Sequence, residues 1–473
     1  MVTDGPREPA RSSEPLSAEE MDQCLRMLQQ IADSPRTVSQ NERFKGLISK
    51  IYKESKRDDQ RADRWRREQE DRAVRNATGM VQIQRDAVPA VALLPAKVDA
   101  ARTLNKPECC YICKSPYTEV HFFYHLLCPK CAEFNYRMRH LHADLTGRTA
   151  LITGGRVKIG FQTVLRLLRD GAKVIVTTRF PRAAAGRFHA EPDSELWVDR
   201  LNIYGLDLRN IPAVELFSRH LLETEPFLDI VIHNAAQTVR RPHGFYNELV
   251  LREKVGAPTP EIGALSSVKQ EAPGTLVISD STALLPNALM SVTDVLPAGS
   301  LEDNEERADS RDVNSWLLRL DEVSAPEMLE VQLVNSVAPF LLNSRLKPLL
   351  VRAPFSRRFI VNVSAMEGQF RRHKTVFHPH TNMAKAALNM MTRTSAEDYA
   401  RDGIYMNSVD TGWITDENPT PKRTRIQDER GFFPPLDIID GMARIYHPIA
   451  TGLLDEAEPV FGQFLKDYTT CPW

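Results

Sequence analysis

The apolar positions of this chain change period along its length. From Ser17 onward, Met21, Leu25, Leu28 and Ile31 recur at three- and four-residue intervals, the spacing of one face of an amphipathic helix. Ser17 stands where such a helix is capped, and Glu20 three residues later completes the capping-box pattern. The following stretch, FKGLISKIYKESKRDDQRADRWRREQEDRAVRNA, carries charges of both signs at short intervals. That pattern predicts a long solvated helix laced by ion pairs. From Leu145 the period changes: apolar, β-branched runs (TALITG, AKVIVTTR, LDIVIHNAA, FIVNVSA) alternate with helical patterns such as FQTVLRLLRDG. Strands separated by helices form βαβ units, so the expectation is a doubly wound α/β fold whose parallel sheet is covered on both faces. One stretch breaks the alternation. Between about residues 240 and 326 the chain is rich in Ser, Pro, Asp and Glu, and a loop of that length is a lid, a small insertion or a disordered excursion.

Length and charge narrow the picture. A chain of 473 residues is expected to hold two or three units. The partition expected here is a partly disordered, helical charged extension over 1–104, a small cysteine-bearing module over 105–144, and the α/β domain over 145–473. The 61 basic and 62 acidic residues nearly cancel, which excludes a global field that would draw nucleic acid or an anionic membrane. Arg64, Arg66 and Arg67 are interleaved with acidic residues, so the helical arm is not expected to grip phosphates, and a protein partner is the role left open for it. No apolar run reaches the roughly 18 residues of a bilayer span. The N-terminus lacks a basic start followed by an apolar stretch, so a cytoplasmic protein with no membrane attachment is expected.

Five of the seven cysteines lie between Cys109 and Cys131, a local cluster rather than a disulfide framework. Cys110 and Cys113 form one closely spaced pair and Cys128 and Cys131 another. Two such turns facing each other predict a structural zinc knuckle of four thiolates. His121 and His125, in the spacer, are given no metal role, and Cys109 is a spare thiol.

Thr153, Gly154, Gly155, Arg156, Val157, Lys158, Ile159 and Gly160 follow the strand TALI and open a helix. Glycines at a strand-to-helix turn let the backbone approach a pyrophosphate, which the helix N-terminus then holds. The loop resembles the TGxxxGxG loop of the short-chain dehydrogenase/reductase family, with Lys158 in the place of the middle glycine, and the fold implied is of the Rossmann type. The resemblance implies an NADP(H)-dependent oxidoreductase acting on a small-molecule carbonyl or alcohol substrate. Its cofactor contacts would be Thr153, Gly154, Gly155, Lys158, Ile159 and Gly160, with Asp207 and Leu208 against the adenine. Asn234, Ala235 and Ala236 resemble the family's NAG motif. Gly412 and Thr415 lie in a segment similar to its N-x-V-x-P-G stretch beside the nicotinamide, with Thr411 replacing the proline. The strand AKVIVTTRF ends in Arg179 without a carboxylate, which favours NADP over NAD.

The family's chemistry uses a serine, a tyrosine and a lysine. Lys385 sits at the lysine position and also contacts the nicotinamide ribose by this analogy, and Asn335 resembles the asparagine that supports a proton relay. Thr381 stands where the tyrosine is expected, and Ser364 falls one place before the usual serine, which is Ala365 here. A threonine hydroxyl has no accessible anion near neutral pH, so it cannot replace a phenol as acid or base. An unperturbed imidazole changes charge near physiological pH, and His378 and His380 lie in the segment just before Thr381. They are either surface residues of a loop or substitutes for the missing proton donor. Without a donor the chain would be a catalytically inactive NADP(H)-binding sensor or scaffold using the zinc module for partner contacts. The family commonly pairs through the helices carrying Asn335 and Lys385, which leaves a homodimer or homotetramer open.

Overall fold

The computed structural model describes residues 17–37, 41–86, 102–241, 244–254, 309, 311–371, 373–415 and 417–473. The leader expected to be disordered and most of the insertion expected at 240–326 lie outside them. The chain divides into two bodies, Met1–Asp71 and Arg72–Trp473.

In the first body, α1 (Ala18–Asp33) begins on the capping box read from the sequence. Ser17 N–H donates to the Glu20 carboxylate at 2.8 Å and Glu20 N–H donates back to Ser17 Oγ at 3.3 Å. The helix α2 (Glu42–Asn76) carries the pairs Lys45–Glu42, Arg61–Asp58 and Arg66–Asp63, all exposed. Such pairs contribute a few tenths of a kcal/mol each, about what a polar helix needs to persist.

The second body opens with α3 (Gly79–Asp86), the hairpin β1 (Thr103–Cys109) and β2 (Pro116–Glu119), and α4 (Pro129–Arg139). Then come β3 (Thr149–Thr153), α5 (Lys158–Arg169), β4 (Lys173–Thr178), α6 (Pro181–His189), β5 (Leu201–Gly205), α7 (Ile211–Thr224), β6 (Ile230–His233) and α8 (Asn247–Lys254). After the insertion, α9 (Ala325–Gln332) passes through a π-turn at Leu333–Val337 into α10 (Ala338–Arg352). The rest is β7 (Arg358–Ser364), α11 (Pro379–Arg401), β8 (Ile404–Asp410), α12 (Thr420–Arg430), α13 (Ile438–Leu454), β9 (Phe464–Lys466) and β10 (Thr469–Cys471).

The sheet order is β10-β9-β8-β7-β6-β3-β4-β5, parallel except for β10 against β9. Strand alternation splits the apolar residues between two cores. Ala150, Ile152, Val174, Val176, Phe359 and Val361 pack under α5, α6 and α13. Leu151, Ile175, Val231 and Ile360 pack under α7, α10 and α11. The strand order reverses between β3 and β6, and at such a switch point the chain leaves a crevice outside the carboxyl ends of the strands.

The cysteine module is not a separate body. Phe123, Tyr124, Leu127 and Ala132 share one core with Met80 of α3 and with Ile414 and Leu436, which come from beyond β8. A buried ionic network closes the same seam: Arg139 of α4 holds Asp437 with two hydrogen bonds of 2.6 and 2.9 Å, and Asp440 at 3.1 Å. Tyr124 donates to Asp440, and Arg444 donates to Asn135 at 2.8 Å.

Candidate functional site

The two loops leaving the switch point are tied together by the residues that the motifs singled out. Asn234 Nδ2 donates to the carbonyls of Thr153 at 3.2 Å and Gly154 at 2.9 Å, and Ala235 N–H donates to Thr153 Oγ1 at 3.1 Å. Ala236 follows, exposed. Side chains are excluded here: a Cβ on Gly154, at φ +72°, would meet Ala235 Cα at 2.9 Å, and one on Gly160 would lie 2.2 Å from the Gly154 carbonyl. The N-cap of α5 is Val157, which offers no side-chain cap, so the first-turn N–H groups of α5 are an anion-binding end at the sheet's carboxyl edge. Lys158 takes the left-handed conformation, φ +55°. That is the geometry a glycine adopts freely, and a side chain there costs about 1–2 kcal/mol. The loop therefore keeps its shape without its middle glycine, with Ile159 packed beneath it. These features fit a dinucleotide pyrophosphate.

Toward β4, the Arg179 guanidinium lies 4.4 Å from the Tyr246 ring centre. Asp207 accepts from Arg209 at 2.6 and 3.0 Å. Burial pushes its pKa up, but the hydrogen bonds and charge of Arg209 outweigh this and hold it low. Leu208 beside it is buried. Glu253 of α8 was not found by sequence reasoning. Its carboxylate accepts the N–H groups of Arg182 and Ala183, at 3.1 and 3.0 Å, in the first turn of α6 just after Arg179. Nothing in the sequence of an irregular insertion signals such a contact.

On the other side of the crevice, Asn335 lies inside the π-turn, buried, and clasps Gln237: its Oδ1 accepts Gln237 N–H at 2.7 Å and its Nδ2 donates to the Gln237 carbonyl at 3.0 Å. Lys385 is 5% exposed, and its Nζ donates to the Val363 carbonyl at 2.8 Å. Burial lowers its pKa from 10.5 to about 8, with Glu367 opposing the fall. Thr381, one helical turn before Lys385, is 3% exposed, and its Oγ1 has no hydrogen-bond partner among the described residues.

Three of the expected positions on this side are held by contacts within the fold. Ser364 is buried and its hydroxyl donates to Asn389 Oδ1 at 2.6 Å. Even-numbered positions of β7 face α11, as Asn362 does in donating to Thr392 at 2.8 Å, so alternation turns Ser364 toward the helix. The histidines are not surface residues either. His380 is 2% exposed and faces Glu327 at 3.5 Å. His378 caps α11 with φ +44° and stacks on Trp316 at 3.9 Å between ring centres, a clasp between α11 and the end of the insertion. Finally, Thr415 is exposed and donates to Glu417 at 2.7 Å, a bond any cofactor contact would have to replace. Gly412, at φ +84°, donates its N–H to Asp410 at 2.9 Å.

The four cysteine sulfurs of the module lie within 4.8 Å of one another, and Cys113 Sγ is 3.7 Å from Cys128 Sγ. Four thiolates at about 2.3 Å from one zinc ion are separated by nearly that distance. Cys110 and Cys113 come from the turn after β1, and Cys128 and Cys131 from the start of α4. Cys109 is exposed and outside the cluster.

The family profile described as short chain dehydrogenase matches residues 148–253, and the one described as enoyl-(acyl carrier protein) reductase matches 316–432. An uncharacterized protein of Acanthamoeba polyphaga mimivirus is 32% identical over 357 residues, covering 72% of this chain and 71% of that protein. Dehydrogenase/reductase SDR family member 13 of Bos taurus is 34% identical over 143 residues, covering 30% of this chain and only 37% of that protein. Among solved structures, NADPH-bound carbonyl reductase from chicken fatty liver aligns with 70% of this chain and 100% of its own, at 17% identity and a TM-score of 0.43.

Proposed function

We propose that the chain, which matches short-chain dehydrogenase-type family profiles over 148–253 and 316–432, is an NADP(H)-dependent oxidoreductase of the short-chain dehydrogenase/reductase type for a carbonyl or alcohol substrate, with Lys385 as its proton donor and acceptor. The carrying observation is the buried Lys385 ammonium, whose pKa of about 8 lies near working pH, where a general acid is most effective. In the family's pattern this lysine assists a tyrosine; here Thr381 leaves no phenol to assist. A bound nicotinamide would supply or accept the hydride. Gly154, Gly160 and the first turn of α5 would hold the pyrophosphate, and Arg179 would pair with the 2′-phosphate. The π-turn clasp of Asn335 on Gln237 fixes the wall opposite β7. Lys385 delivers its proton to the substrate oxygen as that oxygen gains charge. Four-thiolate coordination of zinc by Cys110, Cys113, Cys128 and Cys131 is proposed as the staple of the module, and metal analysis well below one zinc per chain would contradict it.

A second reading, nucleotide binding without turnover, draws on the missing phenol: Thr381 stands at the tyrosine position, and its hydroxyl has no accessible anion near neutral pH. Fluorescence titration with NADPH and NADH, followed by NADPH oxidation assays with aldehydes, ketones and quinones, separates the two. Oxidation lost in Lys385→Ala supports the enzyme. Tight NADPH binding with no oxidation by any substrate supports the sensor, and no binding of either nucleotide sinks both.

A further inference from the structure

The segment from Thr411 to Asp437 leaves the carboxyl end of β8, carries α12, and is fastened at both ends to the cysteine module. Near its start, Trp413 N–H donates to Tyr111 Oη at 3.0 Å, and Tyr111 stands between Cys110 and Cys113. The next residue, Ile414, is buried in the module's core. Toward its end, a ring nitrogen of His125 meets the Phe433 carbonyl at 3.2 Å, and Gln84 of α3 donates to the Pro434 carbonyl at 3.0 Å. Leu436 is buried in the same core, and Asp437 closes the segment on Arg139. The start of the segment is also tied to the loop after β7: Asp410 accepts the N–H groups of both Gly412 and Met366, each at 2.9 Å. A Cβ on Gly412 would lie 3.8 Å from Tyr111 Oη.

We infer that the cysteine module builds and positions the nicotinamide-side wall of the nucleotide site, with Tyr111 as the positioning residue that holds Gly412–Thr415 in place. The inference rests on the proposed nucleotide reading. Its physical basis is preorganisation. Four thiolates gathered on one ion would fix the turn that carries Tyr111, and a wall held in advance spares the ligand the cost of ordering it. The adenosine half of the nucleotide would be held at Arg179 and Asp207, which follow β4 and β5, with β7, β6 and β3 lying between β4 and β8 in the sheet.

The test is Tyr111→Phe, which keeps the ring and all four cysteines and removes only the hydroxyl that accepts from Trp413. Wild type and variant are titrated with NADPH and with 2′,5′-ADP, which carries the adenosine half alone, and their metal content is measured. The expected result is NADPH binding about fivefold weaker, the worth of one neutral hydrogen bond, with 2′,5′-ADP affinity and metal content unchanged. Unchanged NADPH affinity overturns the inference, and so does equal weakening of both ligands, which would mark a merely structural residue. A wild-type protein that binds neither ligand fails the nucleotide reading itself and takes the inference with it.

Discussion

Replacing Lys385 by Met should make the protein more stable and catalytically dead. Burial holds the ammonium in a medium that penalises charge, and its pKa falls from 10.5 to about 8 despite Glu367, a shift equivalent to about 3 kcal/mol. Below pH 8 both folded and unfolded chains carry the proton, and the folded state bears the whole penalty. Between pH 8 and 10.5 the unfolded chain binds more protons than the folded one, so stability rises with pH across that window. Methionine has nearly the same length and no charge. It removes the penalty but loses the 2.8 Å bond to the Val363 carbonyl, worth about 1 kcal/mol. The net expectation is a gain of about 2 kcal/mol at pH 7 that shrinks toward zero by about pH 10. Urea unfolding of nucleotide-free protein, followed by far-ultraviolet circular dichroism at both pH values, measures it. A variant less stable than wild type at pH 7, or a stability gap that does not shrink at high pH, would refute the reasoning.

Other outcomes follow from the same geometry. If Lys385 is the donor, kcat/KM for carbonyl reduction falls as pH rises through about 8, because the protonated form is the acid; a flat profile from about pH 6 to 9 contradicts the assignment. Arg139→Met strands Asp437 and Asp440 in the buried seam and should cost about 3–5 kcal/mol in urea unfolding; a loss below about 1 kcal/mol would show that the seam is not load-carrying. Glu253→Gln removes a carboxylate from the α6 N-terminus beside Arg179. It should raise the ratio of NADPH to NADH affinity by on the order of tenfold, and an unchanged ratio in paired titrations would place the 2′-phosphate elsewhere.

The sequence by itself determined what depends on local period and local backbone. The Ser17–Glu20 capping box, the charge-laced α2, the buried strands of β3 and β7, and the glycine turn at Gly154 all follow from neighbours a few residues apart, where helix and strand geometry leave few choices. The two cysteine pairs were legible for the same reason, since each pair lies in one tight turn. Tertiary structure alone decided which of these residues meet. Ser364 faces α11 because the pleat of β7 turns even-numbered residues that way, and His380 is buried because α9 crosses α11 at Glu327. The Lys385 pKa is a property of its enclosure, not of the residues beside it in sequence. Glu253 reaches α6 from an insertion, and Tyr111 reaches Trp413 across about three hundred residues of chain, distances over which no periodicity carries information.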